Sequence, residues 1–91
     1  MTSQVIWKYD VPIEDAFGIE MPPNSKVLCV QTQYNNPQMW VLVDASRQGV
    51  LITHHFRVVA TGQSFESPVG THVGTFQIRG GTLVFHLFQL D

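Results

Sequence analysis

Residues His72 to Arg79 and Thr82 to Leu90 are two runs rich in β-branched and aromatic side chains, and Gly80-Gly81 stands between them. This arrangement constrains the fold more than any other stretch. β-branched and aromatic residues fill pleated surfaces, and paired glycines reach the positive φ angles of the primed turns that match strand twist. A C-terminal β-hairpin is expected. A two-residue loop sets its register: Ile78 against Leu83, Phe76 against Phe85 and Gly74 against Leu87 on one face, with Gln77 against Val84, Thr75 against His86 and Val73 against Phe88 on the other. The first face is core. The second is too apolar for bulk water and too polar for a featureless core, so a cover is expected over it.

Upstream the same period of two recurs. Gln4 to Tyr9 alternates with Val5, Trp7 and Tyr9 on one face, and Asp10-Val11-Pro12 should end that strand. Residues 13–21 fit either a helical turn at Ile13 to Phe17 or a strand through Phe17, Ile19 and Met21; the strand is preferred, and Pro22-Pro23 make it an edge or stop it there. Lys26 to Gln33 and Gln38 to Asp44 form an antiparallel pair joined by Tyr34-Asn-Asn-Pro37 as a four-residue connection. Met39 to Val43 is apolar on both faces and suits a central strand. After a turn over residues 44–49, Val50 to Thr61 alternates, with Val50, Ile52, His54, Phe56, Val58 and Ala60 on one face and Thr53, His55, Arg57 and Thr61 on the other. Residues 62–71 are the longest irregular segment, expected as a mobile loop able to gate a site. No helix, repeat or linker is evident. The expected fold is all-β: a small antiparallel sandwich or barrel of six to seven strands in one domain, residues 1–91.

Composition narrows the function classes. Of 91 residues, 44% are hydrophobic and only 13% charged, against roughly a quarter charged in average domains, and a chain this short stabilises itself only modestly. Oligomerisation would help. The formal net charge of −2, without a run of like charge, argues against nucleic-acid binding and a polybasic membrane surface. The charges are unevenly placed: Asp10, Glu14, Asp15, Glu20 and Asp44 outnumber Lys8 and Lys26 in the first half, while Arg47, Arg57, Arg79 and all 4 histidines lie in the second. A basic, histidine-bearing site for an anion or acidic partner is one interpretation. The single cysteine, Cys29, excludes an internal disulfide and reads as a small buried apolar residue in a reducing compartment. Neither a signal peptide nor a membrane-length apolar run is apparent, so a cytoplasmic protein is expected.

Candidate chemistry is sparse. His54 and His55 are strand neighbours that point to opposite faces, so they cannot share a metal ion, and His54 fits a hydrogen-bonded core or interface histidine. His55 and Arg57 share a face and can grip a phosphate or carboxylate together. Thr75, Gln77 and His86 form a possible ligand floor on the hairpin, and Arg79 stands at its tip. No serine has a nucleophile-elbow context and no glycine run precedes a helix. No catalytic residue, metal ligand or cofactor is assigned.

Trp7-Lys8-Tyr9, Ile19-Glu-Met-Pro22, Val30-Gln31-x-Gln33, Trp40-x-Leu-Val-Asp44, Phe56-Arg57, Gly74-Thr-Phe-Gln77 and Gly81-x-Leu-Val-Phe-His86-x-Phe88 stand in an order that resembles a family of short bacteriophage and prophage proteins, a domain of unknown function. The resemblance covers nearly the whole chain. At residues 60–63 this chain has Ala-Thr-Gly-Gln where the family pattern has Gly-Thr-Gly-His, which removes any role for a histidine at position 63. The resemblance implies action inside an infected bacterial cell and supplies no catalytic residues. The expected function is a non-enzymatic binding protein, a homo-oligomer that counters host defence by binding a defence protein or sequestering a small anionic nucleotide. The alternatives are a structural or assembly accessory of the phage and, last, a small histidine-dependent hydrolase.

Overall fold

Alternating strands with one apolar face have to bury that face against another layer, and here two sheets do so. The computed structural model describes residues 3–47, 49–66 and 70–91. Its strands are β1 (Gln4–Asp10), β2 (Phe17–Met21), β3 (Lys26–Gln33), β4 (Asn36–Asp44), β5 (Ile52–Ala60), β6 (Thr71–Ile78) and β7 (Leu83–Gln89), with short helical turns at Ala45–Arg47 and Arg79–Gly81. They form a three-stranded antiparallel sheet in the order β1-β4-β3 and a four-stranded one in the order β2-β5-β7-β6. The expected all-β, sandwich-like architecture is what the chain adopts. β4 is central in its sheet and β2 is an edge, as their sequences suggested.

The core is built from the inward residue of each pleat. Met39, Val41 and Val43 from β4 and Val30 from β3 meet Met21, Phe56, Val58, Phe76, Ile78 and Leu87 from the second sheet, with Val11 between strands. Phe56, Met21, Met39, Leu87 and Val41 are fully buried. Each such side chain contributes roughly 1.5–3 kcal/mol by leaving water. Phe17 stacks on Phe56 and Phe76 on Phe85, with centroids 5.6 Å apart in both pairs.

The two sheets touch most closely where β3 passes β6. Thr32 Oγ1 donates to Gln77 O at 2.6 Å, and Arg79 N donates to Asn35 Oδ1 at 2.7 Å, so the tips of the β3–β4 and β6–β7 hairpins are tied together. Gly74 lies at the crossing, where a Cβ would stand 2.8 Å from Val30 Cγ1.

Three expectations need correction. The β3–β4 connection is shorter than four residues: Gln33 pairs with Asn36, and the turn is Tyr34-Asn35, with φ of 51° and 65°. Asparagine tolerates the left-handed region, and this geometry matches strand twist as primed turns do. The turn of the C-terminal hairpin takes in Arg79 (φ 54°) as well as Gly80 (φ 65°) and Gly81 (φ 90°), with the strands ending at Ile78 and Leu83, but the expected register is kept from Ile78–Leu83 to Gly74–Leu87. There a bulge absorbs Val73, and His72 rather than Val73 stands opposite Phe88. β5 begins at Ile52, leaving Val50 and Leu51 exposed ahead of it. Position 48 of the expected turn and positions 67–69 of the expected irregular segment lie outside the described residues.

Gly74→Ala should cost about 1–3 kcal/mol in urea unfolding through overpacking, and less in a Val30→Ala background that removes the opposing methyl groups. Burial raises the Tyr9 phenol above its ordinary pKa of 10.0. Because the folded value is the higher one, the associated stability is whole below the unfolded phenol's pKa and is lost as pH rises through the folded value. In a Tyr34→Phe background, alkaline absorbance titration should show Tyr9 ionising at higher pH in the native chain than in urea.

Candidate functional site

The face of the second sheet turned away from the core carries most of the chemistry. Alternation sends Thr53, His55, Arg57 and Val59 of β5 to this side, and register sets Val59 opposite His86 and Arg57 opposite Phe88 on β7. Across the hairpin, Thr75 lies opposite His86 and Gln77 opposite Val84. Val59 is only 2% exposed although it belongs to the outer side and not to the core between the sheets. The expected cover is partial: Phe65 packs on Phe88 at 6.1 Å between centroids and His72 meets Phe88 edge-on at 5.3 Å, while Thr61, Thr75 and Gln77 stay exposed.

Beside Phe88 runs a row of exposed hydrogen bonds. Thr61 Oγ1 is 2.8 Å from His86 Nε2, Thr75 Oγ1 is 2.9 Å from His86 Nδ1, and His72 Nε2 is 3.3 Å from Thr75 Oγ1. A neutral imidazole donates from one nitrogen and accepts at the other, while each hydroxyl can do both. The row can therefore run in either direction: Thr61 to His86 to Thr75 to His72, or the reverse. Both nitrogens of His86 are satisfied in each. Among the described residues no carboxylate orients either histidine, so the row lacks the third member of a nucleophile, base and orienter set.

Arg57 sits beside the row. Its Nη2 donates to Asp15 Oδ1 at 3.3 Å, its Nη1 to Glu66 O at 3.4 Å, and its guanidinium lies 5.8 Å from the Phe65 ring centroid. The Arg57 side chain is 18% exposed and that of Asp15 70%, so this pair is held firmly on one side only. Among the described residues Arg57 Nε is buried without a hydrogen-bond partner.

Against known families, the match runs over residues 2–91. The chain belongs to the family Domain of unknown function (DUF7352). No curated protein and no solved structure matches it.

In this DUF7352 chain, the candidate residues from the sequence separate into a cluster and an outlier. Arg57, Thr75 and His86 are neighbours on one face, and Gln77 follows Thr75 along β6. His55 shares that face, and its backbone N donates to Asp91 Oδ1 and Oδ2 at 3.1 and 3.2 Å. Arg79 stands apart at the hairpin tip, roughly 20 Å along the strands from the level of Arg57 at about 3.3 Å per residue. His54, on the inner stripe, is half-buried with Nε2 unpartnered among the described residues, so the hydrogen bond expected of it is missing at that atom. Cys29 is half-buried opposite Trp40, less enclosed than expected.

His72, Thr61, Phe65 and Asp15 belong to the cluster and were not singled out. Thr61 was findable, since it shares the alternating face with Arg57; His72 was hidden by the bulge. The cluster is an open patch. A cleft of about 160 Å³ that includes Asp15 lies between Ile13, Glu14, Asp15, Val58, Gln63 and Phe85. That is smaller than the roughly 300 Å³ at which small-molecule pockets begin. Another, about 320 Å³, is lined by Asp10, Val11, Asn36, Pro37 and Gln38 on the other sheet. Among the described residues no group of three metal-ligating side chains occurs, and no helix is long and apolar enough to cross a membrane.

His86→Leu should remove the ring partner of both threonine hydroxyls and, because these are exposed and water can replace the ring, cost only about 0.5–1.5 kcal/mol in urea unfolding. Thr61→Val should cost less in that background than in the wild type, because the two substitutions break the same row.

Proposed function

We propose that the chain is a non-enzymatic, phage-encoded binding protein that acts as a homo-oligomer in the cytoplasm of the infected cell and counters host defence. The outer face of β5, β7 and β6 is its contact surface. The observation that carries this proposal is the half-covered patch in which Arg57, Phe65, His72, His86 and Phe88 lie together. Guanidinium, imidazole and aromatic rings side by side suit an acidic protein surface, or the phosphate and base of a nucleotide. The openness of the patch favours a protein partner for a single chain; a nucleotide would need a second subunit to enclose it. A phage assembly role is the second reading, supported by the exposed Ile6 and Leu28 on the sheet β1-β4-β3.

Native mass spectrometry of gently purified protein separates these cases. A defined oligomer carrying a nucleotide-sized adduct supports sequestration. A ligand-free oligomer directs the search to protein capture from infected cells, where a host defence protein supports inhibition and a virion protein supports the assembly role. Arg57→Ala should weaken the ligand or partner by about 2 kcal/mol or more, roughly 30-fold in Kd, with the oligomer intact. Unchanged affinity defeats the assignment of this face.

A further inference from the structure

β1 is one border of its sheet, and among the described residues no strand pairs with its outer side. A border strand offers a row of backbone N–H and C=O groups to any other strand, and folded chains block such rows with proline, bulges, shortness or a charge at the edge. Three of the four borders carry a block. β2 has 5 residues and runs into Pro22-Pro23. β3 is bulged between Val27 and Cys29 and β6 between His72 and Gly74, and these two borders also lie against each other.

β1 carries none of these. It has 7 residues, neither proline nor glycine, and an unbroken register from Gln4 opposite Asp44 to Asp10 opposite Gln38. Its one cation is turned away from the border: Lys8 Nζ crosses the sheet and donates to Gln33 Oε1 on β3 at 2.7 Å. Val5 and Ile6 beside it are 37% and 54% exposed.

We propose, building on the homo-oligomer proposed above, that β1 pairs antiparallel with β1 of a second copy about a two-fold axis at Trp7, joining two three-stranded sheets into one. A second copy is the occupant the strand itself favours. In that register Gln4 meets Asp10, Val5 meets Tyr9, Ile6 meets Lys8 and Trp7 meets Trp7, so apolar side chains lie together on the inner side. On the outer side Lys8, on giving up its exposed bond to Gln33, turns back to the border and covers Ile6 with its stem. A shift by one residue would set inner-face residues against outer-face ones. Centring on Lys8 would oppose two ammonium groups, and centring on Ile6 would leave Tyr9 and Asp10 without partners inside the strand. Only the Trp7 axis pairs the whole strand without like charges, and an isologous contact of this kind closes as a dimer.

The test introduces charges of opposite sign at Ile6, whose exposure in the single chain lets either variant fold, as circular dichroism would check. Sedimentation velocity should show a wild-type dimer, a monomeric Ile6→Lys, in which Lys8 of the other copy is opposed by a like charge twice, and a dimeric Ile6→Glu that weakens as salt is raised. A wild-type oligomer with both variants retained, or both dissociated, overturns pairing through β1 and leaves the homo-oligomer standing. A monomeric wild type overturns both, and leaves the open border to a strand of another protein.

Discussion

The close crossing of β3 over β6 is the contact on which the rest depends. Two sheets of three and four strands pack face to face over one core, and one border of each also meets the other, where Gly74 leaves room for Val30. Any side chain there would hold the strands apart by the width of a methyl group, and interiors are too densely packed to absorb that locally. Two polar ties fix the same seam along its length, from Thr32 to Gln77 and from Asn35 to Arg79. The second tie accounts for an otherwise unfavourable backbone, because Arg79 holds φ at 54° in the region that non-glycine residues avoid. Its N–H is aimed at Asn35 in that conformation.

The seam also shapes the outer face. Directly after Gly74 comes Thr75, which alternation sends outward to His86; directly before it the bulge absorbs Val73 and swings His72 beside Phe88. A glycine required for sheet packing therefore stands between the two β6 residues that complete the row to His86. Val59 is buried beneath that region without joining the core. The hydroxyl and imidazole row beside it is exposed, and each member satisfies its neighbour in sequence along the row.

What could be read from the sequence follows the range of the interactions involved. Strand existence, the central place of β4 and most of the terminal register depend on neighbours in sequence and on the period of two, so they were legible. The bulge at Val73 was not, because a bulge leaves the residue pattern nearly unchanged while shifting every later pair. The Tyr34-Asn35 turn was missed because Pro37 looked like loop, yet it pairs with Thr32 inside the ladder. At the site, alternation grouped His55 with Arg57 on β5 and Thr75 and Gln77 with His86 on the hairpin; that these are one face follows from the pairing of β5 with β7, which no local pattern announces. The ion pair of Arg57 with Asp15 spans 42 residues, and the cover by Phe65 depends on how a loop folds back. Neither leaves a local signature.

The uneven distribution of charge along the chain takes on a specific meaning in this light. The acids of the first half and the cations of the second are partly each other's partners: Asp15 pairs with Arg57, while Asp91 closes on the backbone of His55 from the other end of the chain. An anionic ligand at Arg57 would compete with a carboxylate already present. That competition is cheap, because an exposed pair of this kind contributes about 0–1 kcal/mol. Arg57 itself would not need to be re-ordered, since the Glu66 carbonyl and the Phe65 ring hold it whether or not Asp15 remains. An arginine ordered in advance loses less side-chain entropy on binding. In such an arrangement Asp15 acts as a placeholder for the proposed partner's acid, and the specificity of the face resides in the fixed side of the pair.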